Sequence, residues 1–253
     1  PGNPRLVTGH ARAGSQRTGD QQTRVERRHR RAGVADCPAT RSPGRQYLRF
    51  RLDDGDSRCF SVANLPAQDQ GRLVFHIRQV SGGLFPERIL PTLRVGDAVK
   101  LEGPVGACTW QHDDGRPVVL FATGTGYAGI KPLLLTALAR QAEVTLYWGN
   151  SSPADFYDAE FLERARQAHP RFHWHRVQSV DARVQQVALT QPHHWAESQI
   201  YACGNSKMIS QVRETCLAAG AQAHRFVAEA FVPSGALTPA ESLNTRHPVL
   251  EKS

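Results

Sequence analysis

Val118-Val119-Leu120-Phe121-Ala122-Thr123-Gly124-Thr125-Gly126-Tyr127-Ala128-Gly129 is the stretch on which the fold of this chain turns. Residues 118–121 are continuously apolar, as a strand buried on both faces requires; a strand with one wet face would alternate. The run breaks at the glycines, and Ile130, Leu133, Leu134, Ala137 and Leu138 then recur on one helical stripe. Strand, glycine turn and helix in that order let a backbone approach a pyrophosphate, with the amides of the helix N-terminus as donors. The letters spell G-x-G-x-x-G, a weak signal that gains from this context. The competing reading is a glycine turn needed only for close helix–strand packing.

The same grammar repeats downstream. Residues 144–148 predict a strand, and Phe161, Leu162, Ala165 and Ala168 the apolar face of a helix. Strands at 172–177 and 199–203 flank a weaker helical stretch, and a helix over 206–219 precedes a last strand over 226–231. Repeated β–α units predict a parallel sheet with helices on both faces across 113–232. A second glycine corner, Tyr201-Ala202-Cys203-Gly204-Asn205-Ser206-Lys207-Met208, again joins strand to helix. Ligands of such sheets sit at the carboxyl ends of the strands, where both corners fall. Cys203 by itself reads as a small buried hydrophobe, and its strand-end position gives it a second reading beside a ligand. The second strand ends in Tyr147-Trp148-Gly149-Asn150, with no acid at the position where a ribose partner is expected.

Upstream the periodicity is different. Leu48, Phe50 and Leu52 alternate with Tyr47, Arg49 and Arg51, and the turn Asp53-Asp54-Gly55-Asp56 closes that strand. Residues 59–62, then Leu73, Phe75 and Ile77, then Val99 and Leu101, predict further strands, with a short helix near 87–90. Short strands with polar turns across 44–112 predict a small antiparallel barrel. Within it, Arg58-Cys59-Phe60-Ser61 puts Arg58 and Phe60 on one face and Cys59 and Ser61 on the other. A cation for phosphate, an aromatic platform and a hydroxyl then share one short strand. The plain alternative is a solvated arginine beside a core phenylalanine.

Composition bounds the function. At 253 residues, 40% hydrophobic and 21% charged, the chain can form one large or two modest domains with packed cores. Its longest apolar runs, 117–122 and 133–139, fall far short of the roughly 20 residues a membrane span needs. No apolar segment follows a basic start, so no secretory signal is expected. The cysteines, Cys37, Cys59, Cys108, Cys203 and Cys216, include no C-x-x-C pair. That spacing fits neither zinc, nor a disulfide framework, nor a cluster of closely spaced ligands; it fits reduced thiols in a cytoplasm. Most of the net charge of +8 lies in residues 1–43, where nine arginines face Asp20, Glu26 and Asp36. A nucleic-acid tail is one reading of that arm. Its lack of strand alternation and its Gly, Arg, Gln and Thr content favour a disordered segment without a role for its charge. Four lysines against 27 arginines in the whole chain point to a coding bias that inflates arginine.

Together these residues resemble the ferredoxin–NADP reductase superfamily, specifically its oxygenase-reductase branch without a fused iron–sulfur domain. Arg58-Cys59-Phe60-Ser61 is similar to its R-x-[YF]-S flavin motif. Gly96-Asp97 with Glu102-Gly103-Pro104-Val105-Gly106 resembles the segment closing its barrel, and Thr123-Gly124-Thr125-Gly126 its nicotinamide-nucleotide turn. Tyr147-Trp148-Gly149-Asn150 resembles its second strand end, Cys203-Gly204 with Met208 its C-G-x-x-x-M corner, and Glu229-Ala230-Phe231 its last strand. The motifs run in the family's order from about residue 44 to Phe231.

The resemblance implies an FAD-binding barrel and a nicotinamide-binding domain. Arg58 would then hold the FAD pyrophosphate, Phe60 pack on the flavin and Ser61 reach toward its reactive nitrogen. His76, Ile77 and Arg78 would lie along the ribityl or phosphate region, and Gly83, Leu84 and Phe85 in the loop covering the pyrophosphate. Thr123, Gly124, Thr125, Gly126, Gly204 and Met208 would form the nicotinamide-nucleotide corner. Cys203 would lie near the carbon that gives up hydride, and Phe231 would stack on the isoalloxazine until the nicotinamide displaces it. The implied activity is an NAD(P)H-dependent FAD oxidoreductase passing electrons to a separate ferredoxin or oxygenase component. The stretch after Gly149 has no arginine or lysine before Arg164, while Asp155, Asp158 and Glu160 are acidic, which favours NADH over NADPH. A free-flavin reductase, or a degenerate flavin-binding protein without activity, are the alternatives.

Three departures stand out. Pro86 replaces a Ser/Thr of the pyrophosphate loop, and Gly129 a proline of the nicotinamide turn. Residues 1–43 lack the pattern of the first barrel strands, so a mis-framed or truncated beginning and an open barrel edge are expected. The polar tail 233–253 is expected to be a loose extension.

Overall fold

The structure is a computed structural model. It describes residues 7–11, 13–14, 21–24, 26–27, 47–51, 57–78, 92, 98–106, 108–111 and 114–231, with backbone alone before residue 47. The turn at 53–56, Gly83-Leu84-Phe85, Pro86, the short helix expected near 87–90, Gly96-Asp97 and the tail 233–253 lie outside these residues.

The amino-terminal arm differs from its expectation. It contributes β1 (Val7–Ala11), β2 (Ala13–Gly14), β3 (Gln21–Arg24) and β4 (Glu26–Arg27). These join β5 (Tyr47–Arg51), β6 (Ser57–Ser61), β7 (Leu73–Ile77) and β8 (Ala98–Val105) in two sheets, ordered β4-β1-β7 and β2-β3-β8-β5-β6. Strand β1 runs antiparallel to β7 along its whole length, and β3 antiparallel to β8. The barrel therefore begins well before residue 44. The physical reason is that β7 and β8 would otherwise present unpaired backbone edges, and a strand of almost any composition can satisfy them. Polar, arginine-rich strands carry no alternation, so periodicity does not reveal them.

The barrel core is built from Leu48, Phe50, Val62, Leu73, Phe75, Ile77, Val99 and Leu101, with Phe60 packed against it. Phe50 meets Phe60 and Phe75 edge-to-face, at centroid distances of 5.2 and 4.9 Å. Strand β5 shifts register against β8 between Tyr47 and Arg49. Gly103 sits there at φ +125°, and a Cβ on it would press on Leu48 and on the Tyr47 carbonyl.

The parallel sheet follows the sequence expectation closely. Its strands are β9 (Val118–Thr123), β10 (Val144–Asn150), β11 (Phe172–Gln178), β12 (Gln199–Asn205) and β13 (Phe226–Phe231), ordered β11-β10-β9-β12-β13. The helices are α1 (Tyr127–Ala139), α2 (Ala159–Ala168), α3 (Val184–Leu189) and α4 (Ser206–Ala218). Val118, Leu120 and Ala122 of β9 turn toward α1 and α2, while Val119 and Phe121 turn toward α3 and α4. Two covered faces are why β9 reads as an unbroken apolar run; each such side chain contributes roughly 1.5–3 kcal/mol of burial.

Candidate functional site

The chain goes from β9 outward to β10 and β11, then returns to lay β12 on the other side of β9. The strand order reverses between β9 and β12, and a crevice opens there at their carboxyl ends. Ala122 pairs with Cys203 across this point, so the two glycine corners are neighbours. A 3₁₀ turn over Gly124–Gly126 leads from β9 into α1, and Gly124 takes φ +55°, a conformation that favours glycine. The space beside Gly124 is open, whereas a Cβ on Gly126 would overlap the Cys203 carbonyl. A Cβ on Gly204 would overlap Thr123 and the Met208 methyl. Close packing thus accounts for Gly126 and Gly204, and Gly124 leaves room beside the helix N-terminus. Cys203 and Gly204 lie within β12, which runs two residues further than the 199–203 expected.

An aromatic and ionic network fixes this turn. The Trp148 indole N–H donates to the Gly124 carbonyl at 3.0 Å, and its ring stacks on Tyr127 with centroids 4.1 Å apart. The Tyr127 hydroxyl donates to Asp158 Oδ2 at 2.7 Å, which Lys131 Nζ also approaches at 2.7 Å. Burial and the Asp158 carboxylate hold the Tyr127 hydroxyl well above the usual phenol range. At the end of β10, Asn150 is buried with its Nδ2 donor unmatched.

Ser61 is buried with no partner for its hydroxyl, an oxygen poised for an incoming group. Its register partner Tyr47 feels burial first and then the Glu229 carboxylate, both raising its hydroxyl pKa. Glu229 pairs in register with Cys203. Cys108, from the segment leaving the barrel, is hydrogen-bonded to Cys203; that bond and complete burial push its thiol up. Tyr47, the register partner of Ser61, thus senses the charge of Glu229, the register partner of Cys203.

A bridge joins the halves through β7. Buried His76 Nδ1 lies 3.0 Å from the Tyr157 hydroxyl, and its ring stacks over Tyr127 at 6.1 Å. Burial, helped by Lys131, lowers its pKa to about 3. Arg78 Nη2 approaches Asp155 Oδ2 at 3.6 Å. Ile77 points into the barrel core. Arg58 is half-buried and donates to the Ser57 carbonyl at 2.7 Å. Phe60 is half-buried against the core, and Phe231 half-buried at the end of β13. Thr125 and Met208 lie at the two corners, with the Met208 N–H capped by Asn205 Oδ1 at 2.9 Å. The sequence reading passed over Trp148, Tyr127, Asp158, Lys131, Tyr157 and Cys108 as site-forming residues. A G-Y in the glycine turn and a tryptophan at the next strand end were the available signals.

A glycine-cornered switch point in a parallel sheet, beside a separate antiparallel barrel, is the architecture of a two-domain nucleotide-binding protein. Residues 42–110 match the oxidoreductase FAD-binding domain family, and residues 120–214 the oxidoreductase NAD-binding domain family. The chain belongs to the ferredoxin reductase-like oxidoreductases, with an FAD-binding domain followed by an NAD-binding domain. FAD and a nicotinamide nucleotide are its cofactors.

Reductase component 1 of terephthalate 1,2-dioxygenase from Comamonas sp. is 32% identical over 200 residues, 75% of this chain and 59% of that relative. The ferredoxin–NAD(P)+ reductase component of the Pseudomonas putida naphthalene 1,2-dioxygenase system is 29% identical over 204 residues, covering 77% and 61%. The chain thus spans about 60% of the length of these curated relatives. A cytochrome P450 reductase from Amycolatopsis superposes with a TM-score of 0.73 at 26% identity, over 90% of this chain and 70% of that one. No helix among the described residues is long and apolar enough to cross a membrane.

Proposed function

We propose that this chain moves hydride from NADH to FAD and hands the electrons on, one at a time, to a separate ferredoxin or oxygenase-type protein. The observation that supports this reading is His76 of the barrel, whose Nδ1 lies 3.0 Å from the Tyr157 hydroxyl and whose ring stacks over Tyr127 beside the glycine turn. Bound FAD would supply the conversion of a two-electron donor into single electrons. The residues' work is positioning. Arg58 would neutralise the pyrophosphate, Phe60 would border the ring system, and Ser61 Oγ would hydrogen-bond the flavin edge that receives hydride. Gly124 and the α1 N-terminus would accept the dinucleotide phosphates. Cys203, held by Cys108, would border the nicotinamide, and Phe231 would cover the flavin face in its absence. His76 and Arg78 would flank the cofactor from β7, and the loop at Gly83, Leu84 and Phe85 would close over it.

NADH is preferred because two of the cations near the end of β10 are already matched by carboxylates. Asp155 faces Arg78 and Asp158 holds Lys131, which leaves little for a 2′-phosphate, while Asn150 Nδ2 suits a ribose hydroxyl. The dioxygenase-system names of the relatives support the acceptor class. Cys59, Cys108, Cys203 and Cys216 form no disulfide among the described residues, in keeping with a cytoplasmic setting. Anaerobic titration of the flavin-loaded protein tests the reading. Bleaching by NADH, followed by reoxidation with a one-electron acceptor, supports it. A flavin that exchanges freely at each turnover would favour a free-flavin reductase, and no flavin uptake a degenerate binder.

A further inference from the structure

At the opposite end of the parallel sheet, below the starts of β9 and β12, a cavity of about 410 Å³ opens. That is within the size range of small-molecule sites. Its wall includes Trp110, Arg116, Arg140, Arg171, Asp114 and Gln199. Three arginines thus line a space with one carboxylate among its described wall residues. Arg140 lies over the Trp110 ring at 5.3 Å and fixes one side. Asp114 is engaged by Arg116 at 2.5 Å and approached by Arg225 at 3.7 Å, and Arg171 lies 3.7 Å from Glu143 outside the cavity.

Unmatched polar atoms lie in and beside its wall. Gln199 is only 3% exposed; its Nε2 donates to the Arg225 carbonyl at 2.9 Å, and its Oε1 is buried without a partner. The adjoining Arg225 Nε and Nη1 are likewise buried with no hydrogen-bond partner. Buried polar atoms are matched in the great majority of cases, so a group of orphans beside a cationic cavity points to a ligand.

We propose that this cavity is a second binding site, distinct from the nicotinamide crevice, for a compact polyanion. Its clustered carboxylate or phosphate oxygens meet Arg116, Arg140 and Arg171, and a hydroxyl on it donates toward Gln199. Guanidinium forks recognise such oxygens in pairs, which selects multivalent anions over monovalent ones. Trp110 and Asp114 belong to the segment joining the two domains, so an occupant ties that segment to the sheet.

The test is calorimetric titration of the FAD-loaded full chain, with NAD+ saturating the nicotinamide site. The probes are citrate and inorganic pyrophosphate, with acetate at matched ionic strength as control. Binding of either probe at one site, absent with acetate and weakened at least about tenfold in Arg116→Gln/Arg171→Gln, is expected. Both substituted side chains are well exposed, at 36% and 62%, so the fold is retained. Citrate alone binding assigns a carboxylate ligand, and pyrophosphate alone a phosphate ligand. The proposal is overturned if neither binds, if the double variant binds as the parent does, or if NAD+ displaces the probe.

Discussion

The indole N–H of Trp148 donates to the carbonyl of Gly124 at 3.0 Å, so the second strand of the parallel sheet holds the glycine turn that follows the first. This bond and the stack on Tyr127 hold the glycine turn in place, and the proposed function has it receive the nucleotide phosphates.

Trp148→Phe keeps a ring for Tyr127 but leaves the Gly124 carbonyl unmatched. A loss of roughly 1–3 kcal/mol in stability is expected, by urea unfolding. The KM for the nicotinamide nucleotide should rise while FAD retention is unchanged. Equal loss of both cofactors would contradict the local role of this bond.

Gly126→Ala sets a methyl against the Cys203 carbonyl, which is backbone and cannot swing aside. Destabilisation of about 1–3 kcal/mol and a marked fall in nucleotide affinity are expected, measured by thermal unfolding with and without NAD+. Gly115 meets nothing within 4 Å but sits at φ +71°, so Gly115→Ala reports backbone strain without a clash, whereas Gly126, at φ −55°, carries the clash without that strain.

Ser61→Ala separates structure from chemistry. The hydroxyl has no partner among the described residues, so its removal should leave stability within about 0.5 kcal/mol of the parent. If it serves the flavin, hydride transfer slows by roughly tenfold or more in stopped-flow reduction. Unchanged reduction would remove Ser61 from the site.

His76 gives the fold an acid-sensitive joint. Its pKa is lowered to about 3 by burial, so below the unfolded value near 6.5 the unfolded chain binds a proton that the native chain refuses. Stability is therefore full above that value and declines as pH falls through the window toward 3. About 2 kcal/mol should be lost between about pH 7.5 and pH 5 through this group. Burial lowers His175 and His193 as well, so the measurement compares the parent with His76→Gln. The variant should show the shallower pH slope.

Much of this was legible in the sequence where one physical constraint dominates a segment. Residues 118–121 had to be apolar because helices cover both faces of β9, and the corners at Gly124 and Cys203 had to fall at strand ends. The arm was misread for the converse reason. Strands β1 and β3 satisfy the edges of β7 and β8 through backbone hydrogen bonds, which impose no alternation on their side chains. The contacts of His76 with Tyr157 and Tyr127 join residues far apart in sequence. No local pattern announces such pairs. Even the cation count after Gly149 was incomplete, since Arg78 and Lys131 arrive from other elements and are met there by Asp155 and Asp158.

The most direct test is rapid anaerobic mixing of the FAD-loaded protein with NADH and, separately, NADPH, following the flavin absorbance. Fast bleaching by NADH, with NADPH slower mainly through weaker binding, is the expected result. A flavin that stays oxidised with both nucleotides would contradict the joining of the two halves into one hydride-transfer site.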